Sequence, residues 1–240
     1  MLRVGKFDFK TRKQASYSGF KQVLVHIHEP LSPYQMRTSD GYIFENWWQF
    51  SKIYPIVHKI HHNNPRQYDY WQHPIETHIE SDTIDSEGIR SIIPTGEYWD
   101  WRQKGFNWHR AVRYPNGREN RRSAQGSVWQ NPDAKNWEFL DYIQARKKIY
   151  YQMYWDKRQD SKILELQNLL IKGCNLLINE VDGPTRTLDN PYNLVEIDAL
   201  GLGSIGITPE ILDTLIDCPS QAFGHGYSIA GVLLGWYPHD

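Results

Sequence analysis

Alternating and β-branched positions in Gln22–His28 (QVLVHIH) predict a short strand, and the prolines of Glu29–Pro33 end it because they lack the donor a ladder needs. After the Asp40-Gly41 turn signal, Tyr42–Phe44 leads into a predicted helix that reaches about Tyr54 and stops before Pro55. Residues 62–135 have weak periodicity, many aromatics and several turn signals, the mark of an elaborated region with short helices. Stronger helical periodicity covers Trp137–Trp155, with Trp137, Leu140 and Gln144 on one face, and Lys162–Leu170. Gly173 then fits a helix C-cap and Leu176–Glu180 a strand. Residues 181–208 are rich in Pro, Asn and Gly and read as a surface insertion; Thr208-Pro209 is an N-cap and N1 pair for a helix through Leu215. Tyr227–Leu234 is a small-residue apolar helix opening after Phe223–Gly226. The elements together predict one α+β domain over residues 1–240, mainly helical, with the elaborated segment 62–135 and an insertion at 181–216.

Composition sharpens this picture in two respects. The chain has 240 residues, of which 40% are hydrophobic and 14% aromatic, enough for a globular core. Ten Trp and fifteen Tyr outnumber eight Phe, so part of the aromatic excess is expected either in a wet stacking groove or as half-buried rings in a loop-rich fold. Only Cys174 and Cys218 are cysteines, which excludes a disulfide scaffold and a cysteine-rich zinc site. No run approaches the length of a membrane span, and the first residues lack the apolar stretch of a signal peptide, so a cytoplasmic protein without membrane contact is expected.

The formal net charge of −1 hides blocks of opposite sign. Residues 102–158 hold thirteen basic and five acidic side chains, whereas from Glu180 onward nine acidic residues face only Arg186. Two explanations stand: the basic middle folds against the acidic end, or it meets phosphate, with Arg110, Arg113, Arg118, Arg121 and Arg122 on backbone phosphates and Trp108 or Trp129 stacked on a base. The second would bring single-stranded DNA or RNA into contact with this region.

Three constellations carry candidate chemistry. In FENWWQFSK, Glu45, Gln49 and Lys52 stand at i, i+4 and i+7, one stripe of a helix where carboxylate, amide and amine tune one another. Trp47 and Trp48 flank the stripe and imply wrapping on more than one side; without it, the stripe would be an ordinary solvated face. In LLIKGCNLLINE, a helix end, a glycine cap and a strand lead to Glu180. In FGHGYSIAGVLLG, Gly224 and Gly226 precede a helix whose exposed N–H groups suit phosphate or ribose oxygens, or whose glycines serve close packing.

Taken in order, these motifs resemble the NADAR family, whose relatives look like N-glycosidases acting on riboflavin-pathway intermediates or on ADP-ribose attached to guanine. The family's E-x3-Q-x2-K motif falls on Glu45, Gln49 and Lys52. Its leucine pair, glycine and terminal glutamate resemble Leu169, Leu170, Gly173 and Glu180, and its aromatic-Gly-x-Gly step with a following helix resembles Phe223, Gly224, Gly226 and Gly231. The family's Trp is Phe223 here, its preceding Asp is Ser220, with Asp217 or Asp182 as stand-ins, and its Asn is Ser228. The resemblance implies a NADAR-like domain with Glu45, Lys52, Glu180 and Asp217 as catalytic candidates. It implies Gln49, Trp48, Trp108, Phe223, Gly224, His225, Gly226 and Ser228 as substrate contacts, on an ADP-ribosylated or phosphoribosylated small molecule or nucleic acid.

Cleavage of an N-glycosidic bond builds positive charge on the ribose, which a carboxylate stabilises, and needs a proton for the leaving nitrogen. Lys52 serves either as that donor or as a covalent nucleophile. The alternatives are a non-catalytic nucleotide or nucleic-acid binding module and a viral or phage protein-interaction factor. His58, His61, His62, His73 and His78 lack a metal-ligand pattern, so neither metal nor cofactor is expected; His225, between two glycines, either meets a phosphate or shapes a turn. No G-x-S-x-G run supports a serine hydrolase around Ser204, and Gly201–Gly206 lacks the lysine of a phosphate loop and reads as a flexible edge.

Overall fold

The computed structural model describes residues 1–57, 76–112, 122–130, 136–185 and 194–239. In chain order the elements begin with β1 (Leu2–Lys6), β2 (Phe20–Val25), α1 (Phe44–Phe50) and β3 (Lys52–Ile53). There follow β4 (Ile79–Ile84), β5 (Arg90–Pro94), α2 (Gly96–Phe106), β6 (Gly126–Gln130) and β7 (Trp137–Leu140). A helical run then passes from α3 (Tyr142–Ala145) through a π-helical turn (Arg146–Tyr151) to α4 (Gln152–Asp156). The last elements are α5 (Ser161–Ile171), β8 (Asn175–Glu180), β9 (Glu196–Ile197), β10 (Gly203–Gly206), α6 (Pro209–Ile216) and α7 (His225–Leu234). Helix and strand take 32% and 25%, an α+β composition. None of the described helices is long and apolar enough to cross a membrane. The chain divides into two compact units, one built from Met1–Met36 with Tyr150–Asp240 and the other from Arg37–Ile149.

The first unit is built on a five-stranded sheet of order β2-β8-β1-β10-β9. β8 runs parallel to both β1 and β2, while β10 is antiparallel to β1 and to β9. Leu176, Leu177 and Ile178 are fully buried, as a strand between two neighbours requires. α7 lies on β1 and β8 and is itself packed by α4, α5 and α6. Every residue from Gly226 to Leu233 is buried, so its lack of a polar face follows from enclosure on all sides. A Cβ at Gly231 would crowd the Tyr151 hydroxyl and the Trp236 ring, so the glycine sets how closely these rings approach.

The second unit packs α1 against α2, with Gly105 facing Phe50 so closely that a Cβ there would overlap the ring. Around this crossing lie Ile53, Tyr54, Ile92, Tyr98, Trp101 and Val128, a largely aromatic core. β3, β6 and β7 form a three-stranded antiparallel sheet, and β4 and β5 a separate hairpin.

Several expectations are corrected. The helix expected to reach Tyr54 ends at Phe50, because Lys52 and Ile53 pair with Ser127 and Gly126 as a strand. Trp137–Leu140 is strand β7 rather than the start of a helix; the capping box of Asp141 and Gln144 begins the helix at Tyr142. Gly201–Gly206, read as a flexible edge, holds β10, whose Gly203, Ser204 and Ile205 are buried in the main sheet. The expected insertion at 181–216 thus supplies core: α6, capped by Thr208 as predicted, buries Leu212, Leu215 and Ile216. β1 carried no signal strong enough to be predicted, although Leu2 and Val4 are buried. Strand β8 and helices α5 and α7 match expectation to within about two residues, and Gly173 has the positive φ of +82° that its capping role demands.

Candidate active-site residues

In the Arg37–Ile149 unit, α1 buries Glu45 and Gln49 at 5% and 6% exposure. The Gln49 amide donates from Nε2 to Glu45 Oε1 at 2.9 Å, and Lys52 Nζ donates to Gln49 Oε1 at 3.0 Å. Carboxyl, amide and ammonium therefore form one hydrogen-bonded series, even though Lys52 belongs to β3 and not to the helix. The Lys52 ammonium also lies 4.6 Å from the centre of the Trp48 ring, an arrangement suited to a cation. Trp48 is 9% exposed, which bears out the enclosure that the paired tryptophans implied.

Asn46, between Glu45 and Trp47, is fully buried and escaped the sequence analysis. Its Nδ2 donates to the carbonyls of Trp108 and Arg110 at 3.2 and 2.9 Å, and its Oδ1 accepts from Val112 N at 2.8 Å. These partners are backbone groups more than sixty residues away, and side-chain chemistry gives no hint of them. They fix Trp108, half-buried, beside exposed His109 and Arg110. Arg122 is exposed and Trp129 half-buried, while Arg113, Arg118 and Arg121 lie outside the described residues. His78 is a core residue: its ring centre is 4.2 Å from Trp101, and its Nδ1 accepts from Tyr54 N at 3.3 Å. His58, His61, His62 and His73 lie outside the described residues.

In the other unit, Glu180 ends β8 in register with Lys6 and Val25. Its side chain is 2% exposed and lies at the start of α7, where a Cβ at Gly224 or Gly226 would crowd its carboxyl oxygens. The two glycines therefore make room for an acid of the protein itself. Burial, followed by the charge of Asp182, raises the Glu180 pKa to about 8; the N–H groups of Gly226, His225 and Tyr227 act in the opposite direction. Glu180 Oε1 has no hydrogen-bond partner among the described residues. Lys6 gives its ammonium to the Val181 carbonyl. Burial and the charges of Glu180 and Asp182 likewise push the Tyr227 hydroxyl upward.

Asp182, exposed, is thus the acid whose charge acts on Glu180, whereas Asp217 is an exposed C-cap of α6. His225, half-buried, pairs through Nδ1 with the Tyr154 hydroxyl at 2.7 Å, and its ring centre lies 4.9 Å from Tyr150. Tyr154, another residue the sequence analysis passed over, orients this imidazole. Phe223 is 5% exposed and stacks on Tyr227, with ring centres 5.6 Å apart. Ser228 is fully buried and donates from Oγ to the Gly224 carbonyl at 3.4 Å, an internal contact of the helix. Among the described residues no group of three or more His, Cys, Asp or Glu side chains is arranged to hold a metal ion.

Comparison with known proteins assigns no family: no family model, no curated protein and no solved structure matches this chain.

Proposed function

We propose that the chain is a cytoplasmic N-glycosidase with a NADAR-like fold, cleaving a base–ribose bond in an ADP-ribosylated or phosphoribosylated nucleotide or nucleic acid. The observation that carries this reading is the series Glu45–Gln49–Lys52, buried at Glu45 and Gln49 and half-buried at Lys52, in which an amide bridges a carboxyl and an amine. It is the trio on which the first of the three motifs of the resemblance falls. In this mechanism Glu45, held in orientation by Gln49, sets negative charge against the oxocarbenium-like ribose. Lys52 protonates the leaving nitrogen as the base–ribose bond breaks, and a water molecule then adds to the anomeric carbon and gives up a proton that restores Lys52. Its contacts with the Gln49 amide oxygen and the Trp48 ring hold the Lys52 side chain beside Glu45 and Gln49, where it can serve as that donor.

The experiment is a turnover panel of ADP-ribosylated guanosine, ADP-ribosylated single-stranded DNA and phosphoribosyl-aminopyrimidines, with base release read by chromatography. Release from at least one is expected. Binding without release from any of them would replace the enzyme by a nucleotide-binding module.

A further inference from the structure

We propose that a cavity formed by α6, α7 and β10, all in the unit that carries the five-stranded sheet, binds a small amine with an apolar ring, its ammonium toward Glu210 and an oxygen acceptor toward the Tyr227 hydroxyl. The cavity encloses about 170 Å³, and Val195, Ile205, Ile211 and Leu215 line it together with those two residues. Thr208 caps α6, and the helical spacing sets Ile211 and Leu215 four apart on the face that meets the cavity, one turn along from Glu210. Ile205, on β10, and Val195 supply the apolar wall from the sheet. A Cβ at Gly203 would strike the Pro184 carbonyl and the Val195 side chain, so this glycine lets both close over β10.

Tyr227 carries the argument. Its side chain is 3% exposed, yet among the described residues its hydroxyl has no hydrogen-bond partner. Unlike the Tyr54 hydroxyl, it is not sealed from solvent, so it reaches the cavity that the residue lines. Burial and the charges of Glu180 and Asp182 keep it an O–H donor, and a donor in an apolar cavity calls for an acceptor on whatever enters. Charge selects the rest of the ligand. Glu210 is exposed, and its hydrogen bond with Thr208 lowers its pKa and keeps it a carboxylate. Acidic residues prevail from Glu180 onward, and the Asp182 charge acts on Tyr227 itself. This field repels phosphate and carboxylate and attracts an ammonium, while the aliphatic wall favours a ring over a longer polar body. The inference goes beyond the N-glycosidase reading, because it uses none of Glu45, Gln49 and Lys52 and requires no bond cleavage.

The test is titration of the full chain with para-methoxybenzylamine, benzylamine, para-methoxybenzyl alcohol and para-methoxybenzoate, read by calorimetry and ligand-observed NMR. Para-methoxybenzylamine is expected to bind about tenfold more tightly than the benzoate, and more tightly than the other two. Tyr227→Phe removes only the hydroxyl, so it should melt no lower than wild type. It should weaken para-methoxybenzylamine about fivefold and leave benzylamine, which offers no oxygen, unchanged. Glu210→Gln, at an exposed position, should weaken both amines about threefold and spare the alcohol. The benzoate or the alcohol binding as tightly as para-methoxybenzylamine would overturn the assignment. So would unchanged affinity for that amine in either variant, a clear drop in the melting temperature of Tyr227→Phe, or no binding of any of the four. Amine binding without base release keeps this cavity and loses only the proposed reaction; base release without amine binding does the reverse.

Discussion

Glu45 and Glu180 are both glutamates removed from water, at 5% and 2% exposure, and among the described residues they meet different partners. Glu45 receives the Gln49 amide, which is joined in turn to the Lys52 ammonium. Glu180 meets the first turn of α7 and the negative charge of Asp182, while the ammonium in register with it goes to a backbone carbonyl. At Glu180 burial is the first cause of the raised pKa, the Asp182 charge adds to it and the α7 N–H groups oppose it, so the groups around a buried carboxyl modify what burial does. Glu45 is set up as an oriented acid–amide–amine series, and Glu180 as an acid that holds its proton at neutral pH.

The largest expected effect tests Glu45. Glu45→Gln keeps an oxygen able to accept from Gln49 but removes the negative charge, so turnover should fall roughly 10²-fold or more with little change in melting temperature. Unchanged turnover would erase the functional contrast with Glu180.

Lys52→Ala should cost roughly 10- to 10²-fold in turnover by removing the proton donor. Incubation of wild type with substrate and borohydride, followed by intact mass, separates the two roles: a substrate-sized adduct that requires Lys52 would make it a nucleophile. Absence of an adduct with a slowed Lys52→Ala variant agrees with proton transfer.

The same contrast explains what was legible beforehand. Glu45, Gln49 and Lys52 were found by helical spacing, and the trio survives although the helix ends at Phe50, since the turn at Ser51 still brings Lys52 back to Gln49. Asn46 was illegible because its partners are distant backbone groups, and β10 because its glycines and serine resemble a loop until pairing with β1 buries them. Trp137–Leu140 shows the limit of periodicity: a four-residue aromatic run fits either pattern, and pairing with β6 decides it. Gly224 and Gly226 read from the sequence either as a seat for phosphate or ribose oxygens or as a close-packing pair at a helix start, and the group that lies against them is the carboxyl of Glu180 in the same chain.

That occupancy yields the next effect in size. Gly224 has φ −86°, so alanine fits the backbone, and any cost of Gly224→Ala comes from its methyl meeting the Glu180 carboxyl. Overpacking of this kind costs about 1–3 kcal/mol. Denaturant titration should show that loss, and Glu180→Ala should absorb most of it in the double variant. Equal losses with and without Glu180 would place the clash elsewhere.

The smallest effect per step concerns Glu180 and pH. Its pKa rises from the ordinary 4.5 to about 8, so between these values the folded chain keeps a proton that the unfolded chain has released. The contribution to stability is complete below about pH 4.5, falls as pH rises toward 8, and is gone above it. The slope is at most about 1.4 kcal/mol per pH unit for a single group. Glu180→Gln keeps the shape of the protonated acid and cannot ionise, so unfolding curves of this variant should lose that decline and overtake wild type at pH 9. A wild-type stability that instead climbs only as pH rises to about 4.5 and stays level from there to 8, a climb that Glu180→Gln abolishes, would mean that the α7 N–H groups outweigh burial and Asp182, making Glu180 a stabilised anion like the one proposed at Glu45.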